Sequence, residues 1–182
     1  QAGARMTPLA LASVVLAMAL AATPPAAGPS VGHPLSPLCD LVCGGTWEPD
    51  HPAYPDEIRT TKSYAWDAET RTVRGMEVSS GGIAGRVTRI EVVFAYDGAA
   101  DALTVTRTQE GSAPVAGTLA LGEAGFTARY PAPDGSGGEM ITAVRFEGAD
   151  LWIERSEILE DGRSTLGGEL RHLGIGQARA DG

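Results

Sequence analysis

With 182 residues the chain is long enough for one domain with a good-sized core. Its formal net charge of −9, with a single lysine at Lys62, works against partners that present a phosphate backbone. No basic stripe offers anionic lipid or nucleic acid a docking place, so neither is an expected partner.

The first element reads as an export signal. LALASVVLAMAL, residues 9–20, carries no charge; Arg5 precedes it, and Ala19-Leu20-Ala21 supplies the small residues of a cleavage site before Ala22. The run is too short to cross a bilayer easily, which takes about 20 apolar residues. The expectation is a signal peptide over residues 1–21 and an exported protein, periplasmic or secreted, with no stable membrane span after cleavage. A buried core helix is the alternative. Cleavage would remove only Arg5 among the charges and leave the chain near −10. TPPAAGPSVGHPLSP then cannot continue a helix, and residues 22–37 read as a Pro/Ala/Gly-rich linker with His33 solvated in it. Leu38 stands before Cys39, where a lipid anchor would need a small residue.

From there to residue 173 the chain is dominated by strand signals. In RVTRIEVVFAYDG, Thr88, Ile90, Val92, Phe94 and Tyr96 share one face, while Arg89 and Glu91 take the other. Phe126, Ala128 and Tyr130 alternate with Thr127 and Arg129. Met140, Thr142, Val144 and Phe146 repeat the pattern, with Arg145 opposite. Turn residues punctuate these runs at Asp67–Thr70, Asp97-Gly98, Gly111-Ser112, Gly122-Glu123, Asp134-Gly135, Glu147-Gly148 and Asp161-Gly162. Short strands joined by regular tight turns predict an all-β antiparallel meander. Closure into an eight- to ten-stranded up-and-down barrel would remove its exposed edges. A two-sheet sandwich is the runner-up. Residues 174–182 read as a disordered tail.

At the head of the meander, after the short apolar turn PLCDLV, stands Gly45-Thr46-Trp47. This G-x-W, with an arginine in the last strand at Arg171, resembles the signature of lipocalin-like, or calycin, barrels over about residues 38–173. YAWDAETRTVRG, and FEGADLW followed by LEDGR, are similar to small bacterial lipocalin-like domains of unassigned function. The resemblance implies that Trp47 plugs the closed end of the barrel. It also implies that the Arg171 guanidinium packs across the indole, a contact of about 0.5–2 kcal/mol. Gly45-Thr46-Trp47, Tyr54-Pro55 and His172 also resemble the pattern of nitrobindin-like haem barrels. There the last-strand histidine ligates haem, but the glycine-rich stretch of that family is here EPDHPA. No cofactor is therefore expected.

Cys39 and Cys43, four apart, point to one side of a helical turn. They form either a disulfide, which export would permit, or a reduced buried pair. No His/Cys set has zinc-ligand spacing, so no metal is expected. His51 falls in a proline-rich loop, and its default reading is solvent-exposed. No nucleophile elbow, H-E-x-x-H or phosphate loop is present, no strand shows a carboxylate clearly on its apolar face, and no catalytic residue is assigned. Two arginines depart from the usual exposed state. Arg107 shares parity with Leu103 and Val105, and Arg155 with Leu151 and Ile153. An arginine inside a barrel wants an anionic partner, either a ligand carboxylate or an internal glutamate.

The function these readings support is binding of a small apolar or amphipathic molecule. The expected ligand-facing residues are Ile90, Val92, Phe94, Tyr96, Arg107, Phe126, Tyr130, Met140, Val144, Phe146 and Arg155. Trp47, Arg171, Cys39 and Cys43 are expected to be structural. In a narrow barrel the same apolar side chains would simply fill the core, giving a structural or interaction module of the cell envelope. An enzyme with a polar barrel pocket is the third reading, marked by inward arginine and glutamate in one cavity.

Overall fold

A computed structural model describes residues 28–50, 58–81, 85–132, 137–148 and 150–175. The expected signal peptide, residues 22–27 of the linker, His51, Tyr54-Pro55, Asp134-Gly135 and the tail from 176 lie outside the described residues. A short helix α1 (Ser36–Val42) leads into ten strands: β1 (Thr46–Pro49), β2 (Ile58–Asp67), β3 (Thr72–Gly81), β4 (Arg86–Asp97), β5 (Ala102–Gln109), β6 (Val115–Gly122), β7 (Gly125–Pro131), β8 (Glu139–Glu147), β9 (Leu151–Glu160) and β10 (Arg163–Ile175). Each pairs antiparallel with its neighbour in sequence, and β1 also pairs with β10, so the meander closes into a barrel. The architecture is compatible with a lipocalin-like fold.

Local chemistry sets the hairpins. In the β2–β3 turn the Asp67 carboxylate accepts the amides of Glu69 and Thr70, and the turn ends on Arg71 at φ 56°. The β4–β5 turn repeats the device. Asp97 accepts from Ala99 and Ala100, and Asp101 takes φ 49°. An aspartate that ties down two amides holds the reversal before the chain must enter the left-handed region.

The period-two pattern decides which side chains enter the barrel. Val92 and Phe94 of β4, Val105 of β5, Phe126, Ala128 and Tyr130 of β7, and Val144 and Phe146 of β8 are buried inside, as their alternation predicts. β9 reverses the expectation. Trp152 and Glu154 face inward, in register with Phe146 and Val144, while Arg155 is exposed on the outer wall. The indole of Trp152 carries more apolar area than Leu151 or Ile153, so burying it sets the parity of the strand. Ile153 is buried on the outer face instead, in register between Arg145 and Arg171, whose aliphatic stems can cover it.

One end of the barrel is plugged. α1 is too short to persist alone. It starts on a proline in its first turn, and a disulfide joins Cys39 to Cys43. Leu35, Leu38 and Val42 are fully buried beneath it, against the core that holds Trp47. The packed unit reaches back to His33, which is buried rather than solvated. The His33 ring meets Trp66 edge-on at 5.0 Å, and its Nδ1 accepts the Leu35 amide. Burial, with Arg71 nearby, pushes the His33 pKa below its ordinary value.

Trp152 is the hub of this end. Its ring meets those of Trp47, Tyr64, Phe126, Phe146 and His172 at centroid distances of 5.3–6.2 Å. Trp47 is fully buried there. Arg171 does not cross its ring: it points outward, 49% exposed, with Nε 3.7 Å from Asp50. β10 turns the neighbouring His172 inward instead, 1% exposed, because burial alternates along the strand and Gly174 must give way to the Trp47 ring.

Candidate functional site

Above the aromatic cluster the lumen changes character. β2 brings Lys62 inward directly opposite Glu77 of β3, and both are nearly fully buried, 3% and 7% exposed. The Lys62 ammonium bonds Glu154 of β9, lies 3.5 Å from Glu77, and sits 4.9 Å over the Trp152 ring. Arg107 of β5 donates through Nη2 to Glu77 Oε2 at 2.8 Å, and the Tyr64 hydroxyl donates to Oε1 at 2.8 Å. Two cations and two carboxylates thus form one layer. Each Glu77 oxygen is satisfied, as a buried carboxylate requires.

Two glycines make the layer fit. A Cβ on Gly75 would come within 2.2 Å of the Tyr64 ring, which lies over that bare stretch of β3 to reach Glu77. A Cβ on Gly117 would meet the Arg129 carbonyl oxygen at 2.2 Å and the Tyr130 ring at 2.8 Å, and that ring lies 5.8 Å from the Arg107 guanidinium.

The titratable groups are pushed away from neutrality. Burial would raise the Glu77 carboxyl, but Lys62, Arg107 and the Tyr64 hydroxyl outweigh it and hold the pKa to about 2 against the usual 4.5. Burial would lower the Lys62 pKa, yet Glu154 and Glu77 raise it. Burial, reinforced by Glu77, drives the Tyr64 phenol well above its ordinary value, and burial raises that of Tyr130. None of these groups is poised to exchange protons near neutral pH, so the layer is built to hold charge rather than to shuttle it.

The space bounded by this layer, the aromatic rings and Thr142 is about 20 Å³, room for one water molecule. A porphyrin does not fit it, and the His172 ring is committed to the closed end beside Trp152. On the other side of Arg107 and Tyr130 lies a cup of about 370 Å³ at the mouth of the barrel. Ile90, Gln109, Ser112, Ala113, Val115, Pro131 and Met140 complete its lining.

The expected ligand-facing residues therefore divide. Ile90, Arg107, Tyr130 and Met140 come together at the cup. Val92, Phe94, Phe126 and Val144 line the small inner space, and Phe146 packs on Trp47 and Trp152. Tyr96 is not in the lumen. It sits at the plugged end, where its hydroxyl donates to Asp101, because β4 outruns the barrel rim there. Arg155 is outside altogether, through the reversed parity of β9. Arg107 finds an internal glutamate, one of the two partners anticipated for it.

Lys62, Glu77 and Glu154 were missed. Contrary to the expectation, carboxylates do stand on inward faces. The readable signal was Lys62 two before Tyr64, and Glu77 in step with Val73. Met76 and Val78 on the opposite face of β3 masked it. Among the described residues no three His, Cys, Asp or Glu side chains gather as a metal site would need, and no helix is long and apolar enough to cross a membrane. No protein-family model matches this chain, and no curated protein is similar to it in sequence. The established statement is architectural: a closed, ten-stranded antiparallel barrel with an ion-paired layer across its middle.

Proposed function

We propose that this protein is an exported, lipocalin-like barrel that binds one small amphipathic molecule at its mouth rather than in its lumen. The observation that carries the reading is the cup. Its volume lies at the lower end of the range for small-molecule sites, about 300–1,000 Å³, and it combines apolar walls with a few polar groups on a rigid floor. The leader-like pattern of residues 1–21 and the Cys39–Cys43 disulfide support export.

Native mass spectrometry of the gently purified protein tests binding. The expected result is a stoichiometric added mass that disappears on denaturation. The place of binding is read from methionine methyl resonances. Met140 lines the cup and Met76 sits on the outer wall, so a bound ligand shifts the first and leaves the second. A bare polypeptide mass, with no small amphiphile that moves Met140, removes the reading.

A second reading rests on the filled interior. Packed rings from Trp47 to Phe94, with room for a single water above them, suit a structural or interaction module of the envelope. The enzyme reading loses support. Inward arginine and glutamates do meet, but they neutralise one another in a space too small for substrate.

A further inference from the structure

We infer that the mouth cup selects a monoanionic amphiphile, a short apolar body ending in one carboxylate or sulfonate, and that Arg107 receives the anionic group; this rests on the mouth-binding reading above. Four observations carry it. Among the described residues lining the cup, Arg107 is the one charged side chain. Its walls offer Ile90, Val115, Pro131 and Met140, which suit hydrocarbon. The guanidinium is preorganised: Nη2 is held by Glu77 on the inner side, the plane lies over Tyr130, and the side chain keeps 28% exposure. A guanidinium has five N–H donors, so one bond to Glu77 leaves donors for a second acid, and a carboxylate can take two of them in parallel.

Among the described residues, Glu110 and Glu139 pair with Arg89 and Arg129 on the exposed outer wall. Below the floor, Glu77 and Glu154 are neutralised by Lys62 as well as by Arg107. The floor is closed at the inner space, so the ligand enters polar end first and stops at Arg107, leaving its apolar body among the cup walls.

The test is calorimetric titration of the whole protein with three matched probes: 4-phenylbutyrate, 4-phenylbutan-1-ol and 4-phenylbutylamine. The expected ranking is acid tighter than alcohol by at least about tenfold, with the amine weakest, as a charge-assisted pair requires. Arg107→Gln should erase the preference for acid over alcohol, and Arg107→Lys should retain its direction at reduced size. The ranking in the unmodified protein stands whether or not either variant folds. If acid and alcohol bind equally, or the amine binds best, the inference is overturned while mouth binding survives. If none of the three binds, mouth binding itself fails and takes the inference with it.

Discussion

The plugged end and the middle of this barrel are built from the same strands by opposite means. At the plugged end, Trp47, Phe146 and Trp152 interlock under Leu38 and Val42, and stability comes from apolar burial and ring packing. Two residues further along β2 and β3, the inward positions carry Lys62 and Glu77, and stability depends on every charge having its partner. A barrel interior need not be uniform: the plug supplies the favourable free energy, and the charged layer supplies a rigid, water-poor floor.

The comparison is sharpest if each region is broken separately. Trp152→Ala removes the hub on which five rings meet, and should lower unfolding free energy by about 3–5 kcal/mol, the range for large aromatic truncations in cores. Urea unfolding at neutral pH measures it. A loss below about 1 kcal/mol would mean the aromatic end does not carry the barrel.

The charged layer should reveal itself through acid. The Glu77 pKa is lower folded, about 2, than its ordinary 4.5, so the unfolded chain binds the extra proton between those values. Its contribution is therefore complete above pH 4.5 and is lost as pH falls toward 2, by about 3 kcal/mol in all. In Glu77→Gln, urea midpoints between pH 4.5 and 2 should fall less steeply than in the unmodified protein. That variant also leaves Lys62 and Arg107 short of a counter-charge, so it starts from a lower midpoint at pH 7. Parallel slopes would show that the layer is not ion-paired as described.

The smallest effect belongs to the Cys39–Cys43 bridge. It closes a loop of only a few residues, so the chain-entropy estimate is about 2 kcal/mol. Replacing both cysteines by serine should loosen α1 first, seen as faster exchange of the Cys43 amide, which bonds the Cys39 carbonyl.

Much of this architecture was legible because alternation is a strong signal where one face is uniformly apolar. β4, β7 and β8 were readable residue by residue for that reason, and the turns because aspartate and glycine mark them. The candidate site was less legible, and the reason is specific. A buried charge looks like a surface charge until its partner is known, and the partners of Lys62 and Glu77 lie on β9 and β5, far along the chain. β9 misled because Leu151 and Ile153 outnumber Trp152, although its indole is larger than either side chain. In β10, Arg171 fitted an expected cation–π contact, but β10 places His172 on the inner face instead.

The pairing of β1 with β10 has a consequence for how the chain comes to be folded. Nine of the ten strand junctions are between sequence neighbours and can form as the chain becomes available, but Trp47 meets Gly174 only across nearly the whole domain. Long-range closure of this kind is slow, on the order of milliseconds to seconds. Until it occurs, β1 and β10 are open edges and the Trp47 plug has no wall to press against. A chain whose β10 is not yet free, whatever holds it, cannot complete the barrel. The fold therefore stays open until β10 has come within reach of β1.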